Sequence, residues 1–215
     1  MKTDGTREGG LENKTCAAGG EDTPCVRIRG RSTGIPMLSL QLQDGEWEDL
    51  GADHERNIAR AIVYDGAGRF LFVHVDRDDL FGRAEYIETS GGGVEPGEDP
   101  DEAILRELRE ELGAEVEVLG RLGTVRDGYN LIRRKNVNSY YLCRTLTLGE
   151  AHMTEDEKKL YHLSPVSLTC EEAVEAYERG RETKIGRLVA NRELPVLQLA
   201  KQALDTINKM EKENG

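Results

Sequence analysis

The part of the chain best suited to chemistry is an acidic helical segment that follows a glycine-rich turn. Glu107, Glu110 and Glu111 stand at positions i, i+3 and i+4, so their carboxylates project from one side of a helix. Clustered carboxylates repel one another unless a cation lies among them. Hard oxygen ligands of this kind select Mg²⁺ or Mn²⁺, and Mg²⁺ also takes substrate phosphate oxygens as ligands. The spacing therefore predicts a divalent metal held against a phosphate group.

The residues around these glutamates support the same interpretation. Glu98, just before the helix, can reach the same pocket or order its water, and Arg106 can hold Glu98 or Glu107 by a bidentate pair. The glycines Gly91–Gly93 let the backbone approach a ligand closely and leave a carbonyl oxygen for metal. The alternative is a solvated acidic helix with pairs such as Glu102–Arg106. That alternative leaves the glycine turn and the leading glutamate unexplained.

The helix is marked at both ends. Asp99 predicts the N-cap, Pro100 suits the first helical position, and Glu102 completes a capping-box pattern. Gly113 predicts the end, because glycine tolerates the left-handed conformation found just past many helices. Aliphatic residues at helical spacing supply an apolar stripe: Ile104, Leu105, Leu108 and Leu112. The segment is therefore predicted to be an amphipathic helix with its carboxylates outside the core.

Residues 92–114 have the sequence GGVEPGEDPDEAILRELREELGA. This spacing matches the Nudix box, GX5EX7REUXEEXGU, where U is a bulky aliphatic residue, and the chain therefore resembles the Nudix hydrolases. Ala114 departs mildly from the aliphatic residue expected last. Thr89-Ser90 stands where members often have a proline, a difference expected to loosen the turn without touching a ligand. Flanking segments agree with the family over residues 56–204.

The resemblance implies an α/β fold class, with an α/β/α sandwich around a mixed β-sheet and the box as a loop–helix–loop. It implies a Mg²⁺-dependent enzyme, with Mn²⁺ able to substitute, that hydrolyses phosphoric anhydride bonds. Its partner would be a small-molecule nucleoside diphosphate derivative, in which the diphosphate is linked to another group X. In such enzymes one to three metal ions clamp the pyrophosphate and activate water.

Carried over by position, the resemblance gives roles to individual residues. The metal would be held by glutamate side chains and one backbone carbonyl from the set Gly91, Gly92, Glu107, Glu110 and Glu111. Catalytic or supporting roles would fall on Glu98, Arg106, Glu107 and Glu110. A catalytic base outside the box is usual in the family, at a position that varies. The acidic loop 154–157 lies in a suitable region, so Glu155 and Glu157 are candidates, with a solvated loop as the alternative.

In this family, substrate specificity is determined by residues outside the box. The proline that marks ADP-ribose members is missing, because none occurs between Pro100 and Pro165. Members acting on dinucleoside polyphosphates often carry a tyrosine near the position of Tyr129, although a loop tyrosine is an ordinary alternative. The basic run Arg133, Arg134 and Lys135 can collect a distal phosphate of the substrate. Its alternative role is a solvated loop or an edge strand protected by charge.

Length, charge and composition set the remaining expectations. At 215 residues the chain supports one good-sized core. A formal charge of −12 disfavours duplex nucleic acid as a partner, but not a nucleotide, because the metal supplies positive charge there. No apolar run is long enough for a membrane span and no signal peptide opens the chain, which predicts a cytoplasmic protein without a membrane partner. A homodimer is left open.

The chain divides into an N-terminal tail and one predicted domain. Residues 1–35 are poor in large apolar side chains and are predicted to be a disordered tail, or to precede a true start at Met37. Residues 36–213 form the predicted single Nudix hydrolase domain. Strands are predicted from hydrophobic alternation at 57–64, 69–75, 86–90, 115–126, 138–148 and 159–164, with an edge strand starting near 37. Helices are predicted at 170–179, capped by Thr169, and from Pro195 to about 210.

Two other functions share this fold. An isoprenoid-diphosphate isomerase would have an altered box and a catalytic cysteine, whereas this box is intact and no cysteine lies near it. A non-catalytic, nucleotide-sensing Nudix domain would have lost box glutamates or gained a DNA-binding domain, and the sequence shows neither change. The four cysteines form no CxxC pair and are predicted to be free thiols.

Overall fold

The computed structural model describes residues 37–152 and 162–213. The predicted tail, residues 1–35, and the candidate bases Glu155 and Glu157 lie outside the described residues. Within the described part, one mixed sheet has helices on both of its faces. No helix in this part is long and apolar enough to cross a lipid bilayer.

The sheet contains a long central pair of strands on which the site is built. The strands are β1 (Leu38–Gln41), β2 (His54–Tyr64), β3 (Phe70–Asp79), β4 (Gly82–Glu88), β5 (Gly91–Gly93), β6 (Ala114–Tyr129), β7 (Arg134–Leu148) and β8 (Ser164–Leu168). Their order is β1-β6-β7-β2-β3-β4, with β5 beside β2 and β8 beside β3. The pairs β1–β6 and β2–β7 are parallel and the other pairs are antiparallel. The sheet is therefore mixed, as predicted.

The central strands are apolar because both of their faces are covered. In β2 the residues from Ile58 to Val63 are all buried. Ala59, Ala61 and Val63 enter one core, and Ile62, on the other face, enters the second core. The predicted hairpin between β2 and β3 is confirmed. Its turn is held by Asp65, whose Oδ1 accepts hydrogen bonds from the backbone N–H groups of Ala67 and Arg69. Strand β1 pairs with β6 at the edge of the sheet, which confirms the predicted edge strand.

Helix α1 (Pro100–Leu112) covers one face of the sheet with its apolar stripe. Asp99 is its N-cap and Gly113, with φ of 62°, ends it in the left-handed conformation, as predicted. The capping detail differs from the prediction. The Asp99 carboxylate accepts a hydrogen bond from the backbone N–H of Asp101, and not from that of Glu102 as a capping box would require.

The other face is covered by α2 (Cys170–Gly180) and α3 (Lys184–Glu213). The predicted capping box of α2 is present, with Thr169 and Glu172 bonded reciprocally. The predicted start of the last helix at Pro195 is wrong, since α3 begins at Lys184 and contains that proline in its interior. Thr183 stabilises the earlier start by accepting a hydrogen bond from Gly186. Pro195 has no backbone N–H, so the helix lacks one hydrogen bond at this position. The buried side chains before and after the proline keep the helix continuous.

Candidate functional site

The box residues line a cleft of about 250 Å³ at the end of the central strands. One wall is acidic and is formed by Glu107 and Glu111 from α1, next to the glycines of β5. The rest of the lining carries Glu88 of β4, which is paired with Arg60, and arginines from β2, β3 and β7: Arg56, Arg60, Arg77 and Arg134. A cleft with one acidic and one basic wall is suited to a metal ion bound together with a phosphorylated molecule.

Glu111 is a buried carboxylate that is held in place by the turn before the box. Its Oε2 accepts hydrogen bonds from the Ser90 hydroxyl at 2.6 Å and from the Gly91 backbone N–H at 2.8 Å. Both bonds go to the same oxygen, which leaves Oε1 for another ligand. Burial, reinforced by the negative charge of Glu107, raises the pKa of Glu111 to about 8. A cation next to this carboxylate would favour its charged form and so lower its pKa again.

Glu107 lies against the glycines of the loop. Its Oε1 accepts a hydrogen bond of 2.7 Å from Arg106, and only 7 % of the residue is exposed. A Cβ atom placed on Gly92 would lie 2.6 Å from the Glu107 carboxyl carbon, so any larger residue at that position would displace the carboxylate. The requirement for glycine here is therefore one of space.

Arg106 connects the loop to the helix through several hydrogen bonds. It binds both oxygens of Glu98 at 3.0 Å, which is the predicted bidentate pair, and it also reaches Glu107. Further bonds run to Glu110 at 3.2 Å and to the Gly93 carbonyl oxygen at 3.0 Å. The side chain of Glu98 is thus engaged in positioning Arg106, and the side chain of Arg106 fixes the direction of Glu107.

The three box glutamates do not all face the cleft. Glu107 and Glu111 line it, whereas Glu110 has a side chain that is 43 % exposed and directed to Arg106. Over residues 37–152 and 162–213, no three acidic, histidine or cysteine side chains form a cluster able to hold a metal ion. Two carboxylates still fit Mg²⁺, because this ion is usually bound by one or two carboxylates, with water and substrate phosphate as the other ligands. The donor set of oxygen atoms is also the one that Mg²⁺ prefers.

The predicted basic run is divided by the structure. Only Arg134 lines the cleft. Arg133 lies in the left-handed conformation, with φ of 53°, and donates a hydrogen bond to the Gly51 carbonyl oxygen outside the cleft. Lys135 lines a second cavity, next to Arg126, and Arg134 borders that cavity as well as the cleft. Alternation along β7 explains why Arg134 enters the cleft and Lys135 does not, whereas Arg133 lies in the turn before that strand.

Tyr129 is not among the residues that line the cleft in the described part of the chain. It is buried, and its hydroxyl group accepts a hydrogen bond of 2.7 Å from Arg192. Its ring lies 5.2 Å from the guanidinium carbon of Arg134, and this contact supports a residue of the cleft. The geometry therefore places Tyr129 behind the cleft wall.

The local sequence pattern does not predict the arginines of β2 and β3. Arg60 pairs with Glu88 at 2.7 Å and donates to the Thr89 carbonyl oxygen at 3.0 Å. Arg77 is bound to Asp79 and to the Tyr86 hydroxyl group. One sequence feature does indicate the arginines of β2: in a strand, Arg56 and Arg60 share one face with Ile58 because they are two positions apart from it.

A buried polar network joins α3 to the turn before the box. Glu193, which is fully buried, accepts hydrogen bonds from the backbone N–H of Thr89 at 2.7 Å, from its hydroxyl group at 2.9 Å and from Tyr177 at 2.7 Å. The next residue, Ser90, donates to Glu111. The expectation that Thr89-Ser90 loosens the turn without touching a ligand residue is therefore wrong. This turn is fixed at both residues by side-chain hydrogen bonds.

Arg192 balances the carboxylates of this network. It is fully buried and contacts Glu88 at 2.6 Å, Asp127 at 3.1 Å and Glu193 at 2.9 Å. Glu88 also forms an ion pair with Arg60, so the same network reaches the arginine wall of the cleft. Buried charges of both signs thus support the site from behind.

We expect Gly91→Ala to lower the free energy of unfolding by about 2–3 kcal/mol, because its Cβ atom would overlap the backbone of Ala59 and Arg60. Gly97→Ala is the matched control, since Gly97 also has a positive φ of 87° but has no neighbour within 4 Å among the described residues. Its expected cost is about 1 kcal/mol, from the backbone conformation alone. Urea denaturation of both variants measures the difference. If both variants lost the same free energy of unfolding, Gly91 would not lie as close to the backbone of β2 as described.

Comparison with known proteins adds a sequence match and a shared fold. A family model described as the NUDIX domain matches residues 54–184. A NUDIX hydrolase from Nitrosomonas europaea superposes with a TM-score of 0.51 at 12 % identity, over 70 % of this chain and 88 % of that one. The solution structure of the E. coli ORF135 protein gives a TM-score of 0.48 at 22 % identity, over 71 % of this chain and 91 % of that one. No curated protein sequence matches the chain.

Proposed function

Because the chain belongs to the Nudix family and is a hydrolase of phosphoric anhydride bonds, we propose that it hydrolyses a nucleoside diphosphate linked to a group X in a Mg²⁺-dependent reaction. One observation carries the proposal. Two buried carboxylates, Glu107 and Glu111, line one cleft together with a glycine loop and a wall of arginines. Carboxylates and guanidinium groups facing a common space fit a metal ion and a pyrophosphate bound side by side.

In this proposal Glu107 and Glu111 hold the metal, with a backbone carbonyl of Gly91 or Gly92 and with Glu110 near the rim of the cleft. When bound, Mg²⁺ would neutralise charge on the pyrophosphate and lower the pKa of a water molecule. The protein's contribution is to fix the ligands in advance. Ser90 orients Glu111 and Arg106 orients Glu107, so neither carboxylate has to be ordered during the reaction.

The catalytic base remains a prediction. Both oxygens of Glu98 accept hydrogen bonds from Arg106, which favours a positioning role for Glu98 over proton transfer. Glu155 and Glu157, which lie outside the described residues, are still the predicted candidates. A cytoplasmic location and a homodimer also remain predictions.

Removing divalent metal is expected to stop the reaction. A panel of nucleoside diphosphate derivatives with Mg²⁺ should release phosphate or nucleoside monophosphate, and a chelator should abolish the release until Mg²⁺ is restored. At a concentration about a hundred times its dissociation constant, Mg²⁺ should also stabilise the fold by about 2.7 kcal/mol. Phosphate release and thermal unfolding measure the two effects. Undiminished turnover in chelator would contradict the metal requirement, and a panel with no substrate would favour a sensing domain.

The isomerase alternative has no support from the described cysteines. Cys143 is buried, and burial raises the pKa of its thiol. Cys170 opens α2 and burial raises its thiol pKa as well. Neither lines the cleft, so neither is placed to act on a substrate held there.

A further inference from the structure

Two arginines of the cleft differ from the others in having no carboxylate partner within residues 37–152 and 162–213. Arg60 and Arg77 are paired with Glu88 and Asp79 respectively. For Arg56 and Arg134, by contrast, no acidic group lies within ion-pair distance among the described residues, although both side chains line the cleft. In a chain with a net charge of −12, two neighbouring arginines without an ion pair among the described residues form a local positive patch that attracts an anion.

Arg134 carries the clearest sign of a missing partner. Its Nε atom is buried and has no hydrogen-bond acceptor within the described residues. The guanidinium group is held over the Tyr129 ring, at 5.2 Å from the ring centroid, so its position is fixed by the protein. A buried donor without an acceptor is destabilising, and such groups in native proteins are usually satisfied by a ligand or water.

Arg56 lies on the same face of the sheet. Strands β2 and β7 are parallel, with His54 opposite Arg134 and Arg56 opposite Asn136, so the two arginines are diagonal neighbours on one face. The Arg56 guanidinium group lies over Gly93, because a Cβ atom placed there would be 2.8 Å from its Nε atom. Burial, and then the positive charge of Arg56, lowers the pKa of Arg134. The two guanidinium groups are therefore close enough to repel each other.

We propose that Arg56 and Arg134 form an anion site for the group X, and that X therefore carries at least one phosphate. The substrate class is then a nucleoside triphosphate or longer polyphosphate, and not a diphosphate linked to a neutral sugar. This inference rests on the proposed function. The acidic wall would place the bond to be cleaved, and the two arginines would bind the next phosphate by charge-assisted hydrogen bonds. A neutral X would leave both arginines uncompensated in the cleft.

The anion site can be tested without turnover. Inorganic tripolyphosphate is titrated into metal-free protein at low ionic strength, and heat release gives its affinity. We expect Arg134→Gln and Arg56→Gln to weaken binding by about tenfold each, since each removes a charge-assisted contact. Arg126→Gln is the matched control, because its side chain is 57 % exposed on β6 outside the cleft. Unchanged affinity in Arg134→Gln, or no binding by the unmodified protein, would overturn the anion site.

The substrate class is tested by comparing two substrates of one nucleoside. The unmodified protein should hydrolyse the triphosphate with a higher kcat/KM than the diphosphate hexose. Arg134→Gln should raise KM for the triphosphate by about tenfold and raise KM for the hexose derivative by a clearly smaller factor, with partial rescue in Arg134→Lys. A preference for the hexose, or an equal loss for both substrates, would overturn the assignment of X. If neither of these substrates nor any member of the wider panel reacts, the proposed function fails, while the tripolyphosphate result still decides the anion site.

Discussion

Glu111→Gln is expected to lower kcat/KM by about a thousandfold, because Glu111 is a proposed metal ligand and a bound metal contributes several kcal/mol to stabilising the transition state. The fold should survive the change. Both hydrogen bonds that Glu111 accepts, from Ser90 and Gly91, go to one oxygen, and the single carbonyl oxygen of glutamine can accept both. What is lost is the negative charge and the second oxygen. Steady-state kinetics with Mg²⁺, together with thermal unfolding of the metal-free protein, separates the loss of activity from a loss of structure.

The control for this variant is Glu102→Gln, on the exposed first turn of the same helix. It removes an identical charge from α1 without touching the cleft, so its kcat/KM should stay within about twofold of the unmodified protein, as for ordinary surface substitutions. If Glu102→Gln and Glu111→Gln had similar activities, the metal assignment would be wrong. If Glu111→Gln lost activity and unfolded in parallel, its effect would be structural and the assignment would lose its support.

Arg192→Met is expected to lower the free energy of unfolding by about 3–5 kcal/mol, because it breaks a buried set of ion pairs by removing the cation alone. Glu193, Glu88 and Asp127 would keep their buried negative charges, with Arg60 as the remaining cation contacting Glu88. Methionine has a similar length, so a cavity contributes little to the effect. Urea denaturation monitored by circular dichroism gives the change in free energy.

Arg179→Met is the matched control for that experiment. Arg179 lies on α2 with a side chain that is 70 % exposed and pairs loosely with Glu175 at 3.9 Å. Exposed pairs of this kind contribute about 0–1 kcal/mol, so the control should remain close to the unmodified protein. A loss at Arg192 no larger than the loss at Arg179 would show that the buried charges are not coupled as their distances indicate.

The parts of the site that the sequence predicts are those set by local spacing. Arg106 lies eight positions after Glu98, four before Glu110 and one before Glu107, so one helix and its preceding turn bring these groups together. The ends of α1 follow from Asp99 and Gly113 for the same reason. Periodicity of apolar residues likewise predicts most of the sheet, because covered strands require it.

The parts that the sequence does not predict depend on contacts between distant segments. Glu193 meets Thr89 across 104 positions of the chain, and no local pattern indicates that a charged residue near the end of the sequence lies beneath the box. A proline at 195 favours a helix start, but Thr183 and a row of buried side chains before the proline decide the actual start of α3. In the run from Arg133 to Lys135, the place where β7 begins and the alternation along it decide which side chain enters the cleft, and composition alone does not indicate either.

The match to the family model ends at residue 184, the first residue of α3, yet that helix supplies the carboxylate that holds the turn before the box. The last helix and the cleft should therefore open as one cooperative unit. In hydrogen–deuterium exchange, amides of α3 around residues 190–197 should be protected about as strongly as those of β2. A ligand bound in the cleft should slow exchange in both segments together, although no part of that ligand needs to touch the helix.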